Sequence, residues 1–230
     1  MSSIQTTILG TSALGNPIEV FKKIHTSKDL SAAKKPFLFI GGVHGDEPEG
    51  VEVAQKLLQW LTEAEKQQTL RPWILIPCIN PDGYKKKERT NGNGIDLNRN
   101  FPSLDWTSEN NRAARYSPGP RPGSEPEVAA LVKLIETEKP EVIIHFHSWE
   151  PCVVYTGAPG RPYAEMISPN AQYPVRDDIG YPTPGSLGQY GWQNHKIPVI
   201  CVEEQESIPI NEVWPHFQEG LKNLMLHYSK

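Results

Sequence analysis

The sequence predicts an α/β sandwich with a largely parallel central sheet, and two patterns lead to that prediction. Short apolar, β-rich runs alternate along the chain with longer amphipathic stretches. The apolar runs show little polar–apolar alternation, as expected of strands that helices cover on both faces. The length of 230 residues fits one large domain better than two small ones. We therefore expect a single domain over residues 1–230.

Five strands and three helices are predicted from these patterns. The predicted strands are PIEVFKKI (17–24), FLFIGG (37–42), WILIPCI (73–79), VIIHFH (142–147) and PVICVE (198–203). The predicted helices are GVEVAQKLLQWLTEAEK (50–66), SEPEVAALVKLIETEK (124–139) and NEVWPHFQEGLKNLMLHYS (211–229). Their alternation along the chain is typical of parallel strands joined by helical crossovers.

Local signals refine two of the helices and one long loop. Ser124 and Glu127 have the spacing of a capping box, so we expect the second helix to begin there. Pro215 lacks a backbone N–H and is therefore expected near the first turn of the third helix. The segment KKKERTNGNGIDLNRNFPSLDW (85–106) is too rich in Asn, Gly and Arg for regular structure. Long ordered loops of this kind are often functional.

Polar residues with metal-binding or catalytic chemistry follow the predicted strands. His44 and Glu47 come after the second strand, the turn NPDG (80–83) after the third, His147 at the end of the fourth, and Glu203 at the end of the fifth. In open parallel sheets, ligands bind outside the carboxyl ends of the strands. We therefore expect these residues to lie at one edge of the sheet.

Two histidines and one glutamate have the arrangement of a zinc site. A catalytic zinc ion usually has three protein ligands, and two that are close in sequence bind it together with a distant third. His44 and Glu47 supply the near pair, and His147 supplies the distant ligand. His145 competes for the third position because strand alternation puts it on the same side as His147. Its more interior position favours a hydrogen-bonded core residue or a supporting group.

Glu203 is the candidate general base. It ends an apolar strand, where partial burial can raise the pKa of a carboxyl group into a useful range. Glu204 is its neighbour, and alternation points that side chain elsewhere, so it is expected to be a solvent or packing residue. Without the other candidate site residues, Glu203 would be read only as a carboxylate at the end of a strand.

The long loop supplies groups that can bind an anion. Arg89 and Arg99 each offer a planar guanidinium, which clamps a carboxylate or stabilises an oxyanion. Asn98 adds amide donors beside Arg99. The lysines at 85–87 are expected to be exposed surface residues.

The overall composition argues against several classes of partner. The net charge of −4 gives no reason to expect nucleic acid or an anionic membrane. No apolar run approaches the length of about 20 residues that spans a bilayer. The start MSSIQTTILGTS lacks the features of a secretory signal, and the three cysteines include no CxxC pair, so a cytoplasmic location is expected. Cys78 and Cys201 lie in predicted strands and are expected to be small core residues.

Taken together, these residues resemble the zinc carboxypeptidase family typified by carboxypeptidase A. The stretches that carry the resemblance are HGDE, HFHS, GIDLNRNFP, NPDG and VICVE, supported by LGTSALGNPI near the N-terminus and by GSEPE. They extend over about residues 9–205. The resemblance implies a single catalytic domain, folded as a three-layer α/β/α sandwich with a mixed, mostly parallel central sheet.

The resemblance also implies roles in metal binding and catalysis. His44, Glu47 and His147 would hold one Zn²⁺ ion per chain. Glu203 would act first as the general base and then as the general acid. Arg89 would stabilise the oxyanion of the substrate.

Three further residues would bind the substrate if the resemblance holds. Asn98 and Arg99 would grip the carboxylate of the residue that is released. Tyr181, in GYPTPGSLG, falls where the family has a tyrosine that closes over the substrate.

Within the family, ERTNGNGIDLNRNFP, PGSEPE and GYPTPGSLG are similar to small members that act on murein peptides. This likeness implies hydrolysis of the C-terminal γ-D-glutamyl–meso-diaminopimelate bond of a muropeptide during cell-wall recycling. The segment SWEPCVVYTG (148–157) departs from their pattern, and we expect it to line the substrate cleft.

Two other functions remain open from the sequence. N-acyl amino acid deacylases of the succinylglutamate desuccinylase and aspartoacylase type share the HxxE and DLNR elements, although NPDG and GSEPE argue against them. A zinc-binding or peptide-binding protein without catalysis is the other alternative. The presence of both Glu203 and Arg89 argues against it.

Overall fold

The strands of the protein form one sheet in the computed structural model, which describes residues 4–23, 34–109, 113–168 and 172–229. Within these residues the strands are β1 (Ile4–Thr11), β2 (Pro17–Lys23), β3 (Phe37–Ile40), β4 (Trp73–Ile76), β5 (Val142–Trp149), β6 (Cys152–Thr156), β7 (Val175–Arg176) and β8 (Val199–Gln205). Their order across the sheet is β1-β2-β4-β3-β5-β8-β6-β7.

The centre of the sheet is parallel and its margins are mixed. β4, β3, β5 and β8 all run in the same direction, and β6 pairs parallel with β7. The pairs β1–β2, β2–β4 and β6–β8 are antiparallel. The predicted mixed, mostly parallel sheet is therefore confirmed.

Helices cover both faces of this sheet. In the same residues they are α1 (Pro48–Gln67), α2 (Pro81–Lys86), α3 (Pro126–Glu138), α4 (Arg161–Ile167), α5 (Leu187–Gln189) and α6 (Ile210–Ser229). α1, α4 and α6 pack on one face in a core that includes Leu57 and Phe217, while α3 and α5 pack on the other with Leu131 and Leu187. The three-layer α/β/α architecture is thus confirmed. None of the helices in the described ranges has both the length and the apolar character needed to cross a membrane.

The five predicted strands and three predicted helices are all present, with shifted ends. β2 matches the first prediction through Lys23, and Ile24 lies outside the described residues. β3 and β4 end earlier than predicted, at Ile40 and Ile76, because the chain turns out of the sheet there. β5 continues to Trp149, beyond the predicted end.

The predicted capping box at Ser124 is wrong. α3 begins at Pro126 with Glu125 at its cap, and no side chain caps it. Glu125 is extended (φ −84°, ψ 136°), as favoured for a residue that precedes proline, so the helix cannot start before Pro126. The Glu127 carboxylate instead accepts a hydrogen bond from the backbone N–H of Ala13 at 2.9 Å.

Candidate active site and metal centre

The loop after β3 and the end of β5 bring three of the predicted residues together. His44 Nδ1 lies 2.8 Å from Glu47 Oε1, and His147 Nδ1 lies 2.7 Å from Glu47 Oε2. The two Nδ1 atoms are 3.0 Å apart. All three side chains are buried, and their donor atoms lie within 4.8 Å of one another. Two imidazoles and one carboxylate form a donor set that fits a catalytic zinc ion.

Two glycines allow this approach. A Cβ atom on Gly45 would lie 1.9 Å from the carbonyl carbon of Gly83, in the first turns of α2. A Cβ atom on Gly50 would lie 2.3 Å from the carbonyl oxygen of Phe146, in β5. Since neither backbone neighbour leaves room for a side chain, glycine at both positions lets the start of α1 dock against α2 and β5. This docking places Glu47 beside His147.

The electrostatics of the three residues favour an ionised carboxylate between imidazoles. Burial opposes ionisation of Glu47, but the charges and hydrogen bonds of His44 and His147 outweigh it and hold the pKa of Glu47 well below its usual value. Burial lowers the pKa of His147 despite its contact with Glu47. Burial and the charge of Arg89 oppose protonation of His44, but Glu47 and Asp96 outweigh them and raise the pKa of His44, so binding of a cation there would release a proton from that imidazole.

Asp96 supports this cluster and is absent from the residues predicted from the sequence. Its Oδ1 atom lies 3.2 Å from His44 Nε2, and its Oδ2 atom accepts a hydrogen bond from Arg89 Nε at 2.9 Å. Burial opposes its charge, but His44 and Arg89 hold the pKa of Asp96 far below its usual value. The signal that could have found it is its place in IDLNR, three residues before Arg99. A metal-ligating histidine commonly donates its other N–H to such a carboxylate.

Glu203 faces the same cluster from β8. It is 6% exposed, and burial together with the charge of Glu47 raises the pKa of Glu203 to about 8. Its Oε1 atom accepts a hydrogen bond from the Cys201 thiol at 3.2 Å. Its buried Oε2 atom has no hydrogen-bond partner among the residues that the structure describes. A carboxylate in this state is suited to accept a proton.

Glu204 points to the opposite face of the sheet. Its carboxylate accepts a hydrogen bond from the Tyr173 hydroxyl and lies 2.7 Å from His216 Nδ1. Only 1% of Glu204 is exposed, so it is the packing residue of the two expected alternatives rather than a solvent-facing one.

One cavity of about 640 Å³ joins all the predicted site residues. The eight that line it are His44, Glu47, Arg89, Asn98, Arg99, His147, Tyr181 and Glu203. They come from the loops after β3 and α2, from the ends of β5 and β8, and from the segment before α5. The carboxyl edge of the parallel sheet therefore carries the cavity, as the strand order requires.

The anion-binding groups in the cavity are held by local contacts. Arg99 Nη1 donates to the carbonyl oxygen of Asn98 at 2.7 Å. The side-chain oxygen of Asn98 accepts from the backbone N–H of Leu187 at 2.9 Å, which leaves the amide nitrogen of Asn98 for another acceptor. Arg89 also lies close to the His44–Glu47–His147 group, with Nη1 3.4 Å from Glu47 Oε1.

The segment 148–157 lines the cavity, as predicted. Its contributions are Ser148, Trp149, Val154 and Thr156. Trp149 is 40% exposed and contacts the ring of Tyr181 edge-on, with ring centroids 5.7 Å apart. Trp149 is a further cavity residue that the sequence did not single out.

Cys201 differs from expectation, whereas His145 agrees with it. Cys201 lines the cavity and is partly exposed, so its prediction as a core residue is wrong. His145 is buried, and its Nδ1 atom lies 2.7 Å from Nε2 of His147. The structure thus places His147, rather than His145, beside His44 and Glu47.

The comparison with known families decides the family of this chain. Residues 2–195 match the family described as zinc carboxypeptidase. The chain belongs to the zinc carboxypeptidase family. The match ends before Glu203, so the geometry described above is the separate evidence for that residue.

Relatives and solved structures agree with this assignment. Murein peptide amidase A of Escherichia coli K12 is 32% identical over 191 residues, which is 79% of this chain and 74% of the relative. The Vibrio campbellii protein of the same name is 31% identical over 211 residues, which is 87% of this chain and 79% of that protein. The crystal structure of a murein-tripeptide amidase from Escherichia coli O157 has a TM-score of 0.74 and 28% identity, covering 96% of this chain and 91% of that chain. The chain is therefore that of a metal-dependent hydrolase of the zinc carboxypeptidase type.

Proposed function

We propose that this zinc carboxypeptidase hydrolyses the C-terminal amide bond of murein peptides, between γ-D-glutamate and meso-diaminopimelate. The observation that carries the proposal is a single cavity that holds a metal-type donor set, a buried carboxylate and a carboxylate-binding pair. The relatives named as murein peptide amidases support the choice of substrate.

His44, Glu47 and His147 would hold one zinc ion in this proposal. Their two imidazoles and carboxylate form the donor set of many catalytic zinc sites. When bound, zinc acidifies water and polarises the carbonyl group of the substrate.

Glu203 moves the proton of the reaction. As the water oxygen forms its bond to the amide carbon, one water proton passes to Glu203. As the carbon–nitrogen bond breaks, Glu203 returns that proton to the departing amine. A carboxyl group whose pKa lies close to the working pH performs both steps well, and a cation held beside Glu47 would bring the raised pKa of Glu203 down toward that range.

Arg89 stabilises the negative charge that develops on the carbonyl oxygen. Its Nε–H already donates a hydrogen bond to Asp96. This bond fixes the guanidinium without using all of its N–H groups. A donor that is held in place before the reaction needs no reorganisation while the charge forms.

Asn98 and Arg99 bind the carboxylate of the residue to be released. A guanidinium and an amide on adjacent residues can bond both oxygens of that group. The leaving residue is thereby oriented before the bond is attacked. Tyr181, with Trp149 against its ring, lines the same cavity and covers the substrate.

We further propose that residues 1–230 act as one catalytic domain on small peptides in the cytoplasm, without nucleic acid or membrane as partner. The free thiols of Cys78, Cys152 and Cys201 support a reducing compartment.

The deciding experiment uses the zinc-loaded protein and L-alanyl-γ-D-glutamyl-meso-diaminopimelate. Mass spectrometry should detect free diaminopimelate with the wild type and about 10²-fold less or lower with the Glu203→Gln variant. Parallel incubations contain ordinary C-terminal peptides and N-acyl amino acids. Release only from N-acyl amino acids would overturn the proposal in favour of a deacylase, and no release from any substrate would favour a binding protein.

A further inference from the structure

We propose that His145 is a positioning residue that fixes the tautomer and the orientation of His147. It does so by accepting a hydrogen bond from Nε2–H of His147. This inference rests on the proposed zinc site, because it concerns the nitrogen of His147 that the metal does not use.

The two histidines are neighbours on one face of β5. They are two residues apart on a strand, so both side chains project to the same side. His145 Nδ1 lies 2.7 Å from His147 Nε2, and the ring planes are nearly perpendicular at 88°. The other nitrogen of His147, Nδ1, lies 2.7 Å from Glu47 Oε2. Both nitrogens of the His147 ring therefore have a defined neighbour.

The chemistry of imidazole then assigns the proton. A neutral imidazole carries one N–H, and a nitrogen that binds a metal cannot carry it. With Nδ1 of His147 directed at the metal cluster, its proton must be on Nε2. That group is buried, so it needs an acceptor within the protein. Nδ1 of His145 is the atom placed to accept it.

His145 accepts this hydrogen bond as a neutral imidazole, because the donor in the contact is the Nε2–H of His147. Its own proton then resides on Nε2, and Nδ1 keeps a free lone pair. A protonated His145 could only donate, and would leave two N–H groups pointing at each other.

The Nε2 atoms of the two proposed histidine ligands thus face different kinds of acceptor. Nε2 of His44 lies near the carboxylate of Asp96, at 3.2 Å, whereas Nε2 of His147 faces an imidazole. A carboxylate at position 145 would add a negative charge beside Cys201, its register partner, and close to Glu203. Such a charge would raise the pKa of Glu203 further. A neutral acceptor orients His147 without that effect.

A competing interpretation is a second metal set made of His145, His147 and Cys201. Their donor atoms also lie within 4.8 Å of one another. This set shares His147 with the first, and one neutral imidazole binds only one ion. Two ions would require a fully deprotonated His147 ring, so the geometry favours the hydrogen bond.

A matched pair of variants tests the inference. His145→Asn keeps an oxygen that can take the place of Nδ1 as acceptor, whereas His145→Leu fills the space without one. We expect the Leu variant to bind zinc about 10- to 100-fold more weakly, as for other partners of metal-binding histidines, and the Asn variant to approach the wild type. Competition with a metal chelator measures both dissociation constants.

A spectroscopic readout keeps the test decisive even if the Leu variant folds poorly. In zinc-loaded protein with isotope-labelled histidine, NMR should show an N–H on Nε2 of His147 and a bare Nδ1 on His145. The Nε2–H signal of His147 should persist in the Asn variant.

Several outcomes would overturn the inference, and they are distinguishable. A proton on Nδ1 of His145, or a folded Leu variant with unchanged zinc affinity, would exclude the positioning role while leaving the proposed function intact. A second bound zinc ion that disappears in Cys201→Ala would replace the inference with the second metal set. A wild type that binds no zinc would overturn both the inference and the proposed function.

Discussion

His147 and Glu203 are register partners on the adjacent parallel strands β5 and β8. Register partners project to the same face of a sheet, so the proposed metal ligand and the proposed base are held side by side by backbone hydrogen bonds. Their spacing therefore depends on the hydrogen-bonded sheet rather than on a loop.

Glu203→Gln should retain zinc and lose about 10²- to 10⁴-fold in kcat, because the amide keeps the size of the side chain but cannot accept the proton. Steady-state kinetics and metal analysis of the purified variant measure the two quantities.

Glu204→Gln is the matched control for that variant. Glu204 is adjacent in sequence but bonds Tyr173 and His216 on the other face of the sheet. We expect it to lower the free energy of unfolding by about 1–3 kcal/mol with little change in kcat. Near-wild-type turnover in the Glu203 variant would refute its role as the base.

The activity should rise with pH through the pKa of Glu203, since the base must be ionised. Burial and the charge of Glu47 raise that pKa to about 8 in the metal-free protein. A cation bound by His44, Glu47 and His147 offsets the charge of Glu47, so zinc should lower the pKa of Glu203. NMR titration of isotope-labelled glutamate carboxyls, assigned with the Glu203→Gln spectrum, compares the two forms. An identical titration with and without zinc would place the metal elsewhere.

Asp96→Asn should weaken zinc binding by about 10- to 100-fold, because His44 and Arg89 both lose the charge that orients them. Asp82→Asn is the control, since Asp82 is equally buried but accepts from Ser12 Oγ at 2.7 Å and from Leu14 N at 2.9 Å. It should reduce stability and leave zinc affinity unchanged. Equal zinc affinity in both variants would remove Asp96 from the metal centre.

Gly45→Ala should lower the free energy of unfolding by about 3 kcal/mol or more and reduce the zinc content, because backbone atoms of α2 occupy the space of the new Cβ. Gly94→Ala is the control, because no described residue other than its chain neighbours comes within 4 Å of the Cβ position. Its φ of +76° should therefore cost only about 1–2 kcal/mol. Chemical denaturation of both variants tests the difference. A similar decrease in the free energy of unfolding for both variants would mean that small backbone shifts relieve the close approach at Gly45.

The central part of the fold could be predicted because its strands are continuous apolar runs. β1, β6 and β7 were missed, and two of them lie at the edges of the sheet, where burial is incomplete. Ile4–Thr11 has partly exposed residues along its length, so it lacks the apolar run that marks a central strand. β7 has two residues, too few for any periodicity. α2, α4 and α5 were missed for the same reason of length.

The part of the candidate site that could be predicted consists of residues recognisable by their type and by their position after a strand or in the long loop. The eight predicted residues line one cavity, and their roles remain predictions. Asp96 and Cys201 were not predicted as site residues, because their contacts depend on which residues are brought opposite each other in three dimensions. Cys201 meets His145 only through the register of β5 and β8, which no local pattern encodes.

Side chains along β5 and β8 alternate between the hydrophobic core and the cavity, so the same strand register determines both core packing and the geometry of the proposed site. Phe146 and Val202 point into the apolar core beneath α1 and α6, on the side opposite to His147 and Glu203. A slip of one residue in either strand would bury a charged or polar group in that core and expose an aromatic or aliphatic one. A chain with a misaligned catalytic edge would thus also be a misfolded chain, open to proteolysis. The register that packs the hydrophobic core therefore also aligns the proposed active site, so we expect a chain with a misaligned site to be unstable as well as inactive.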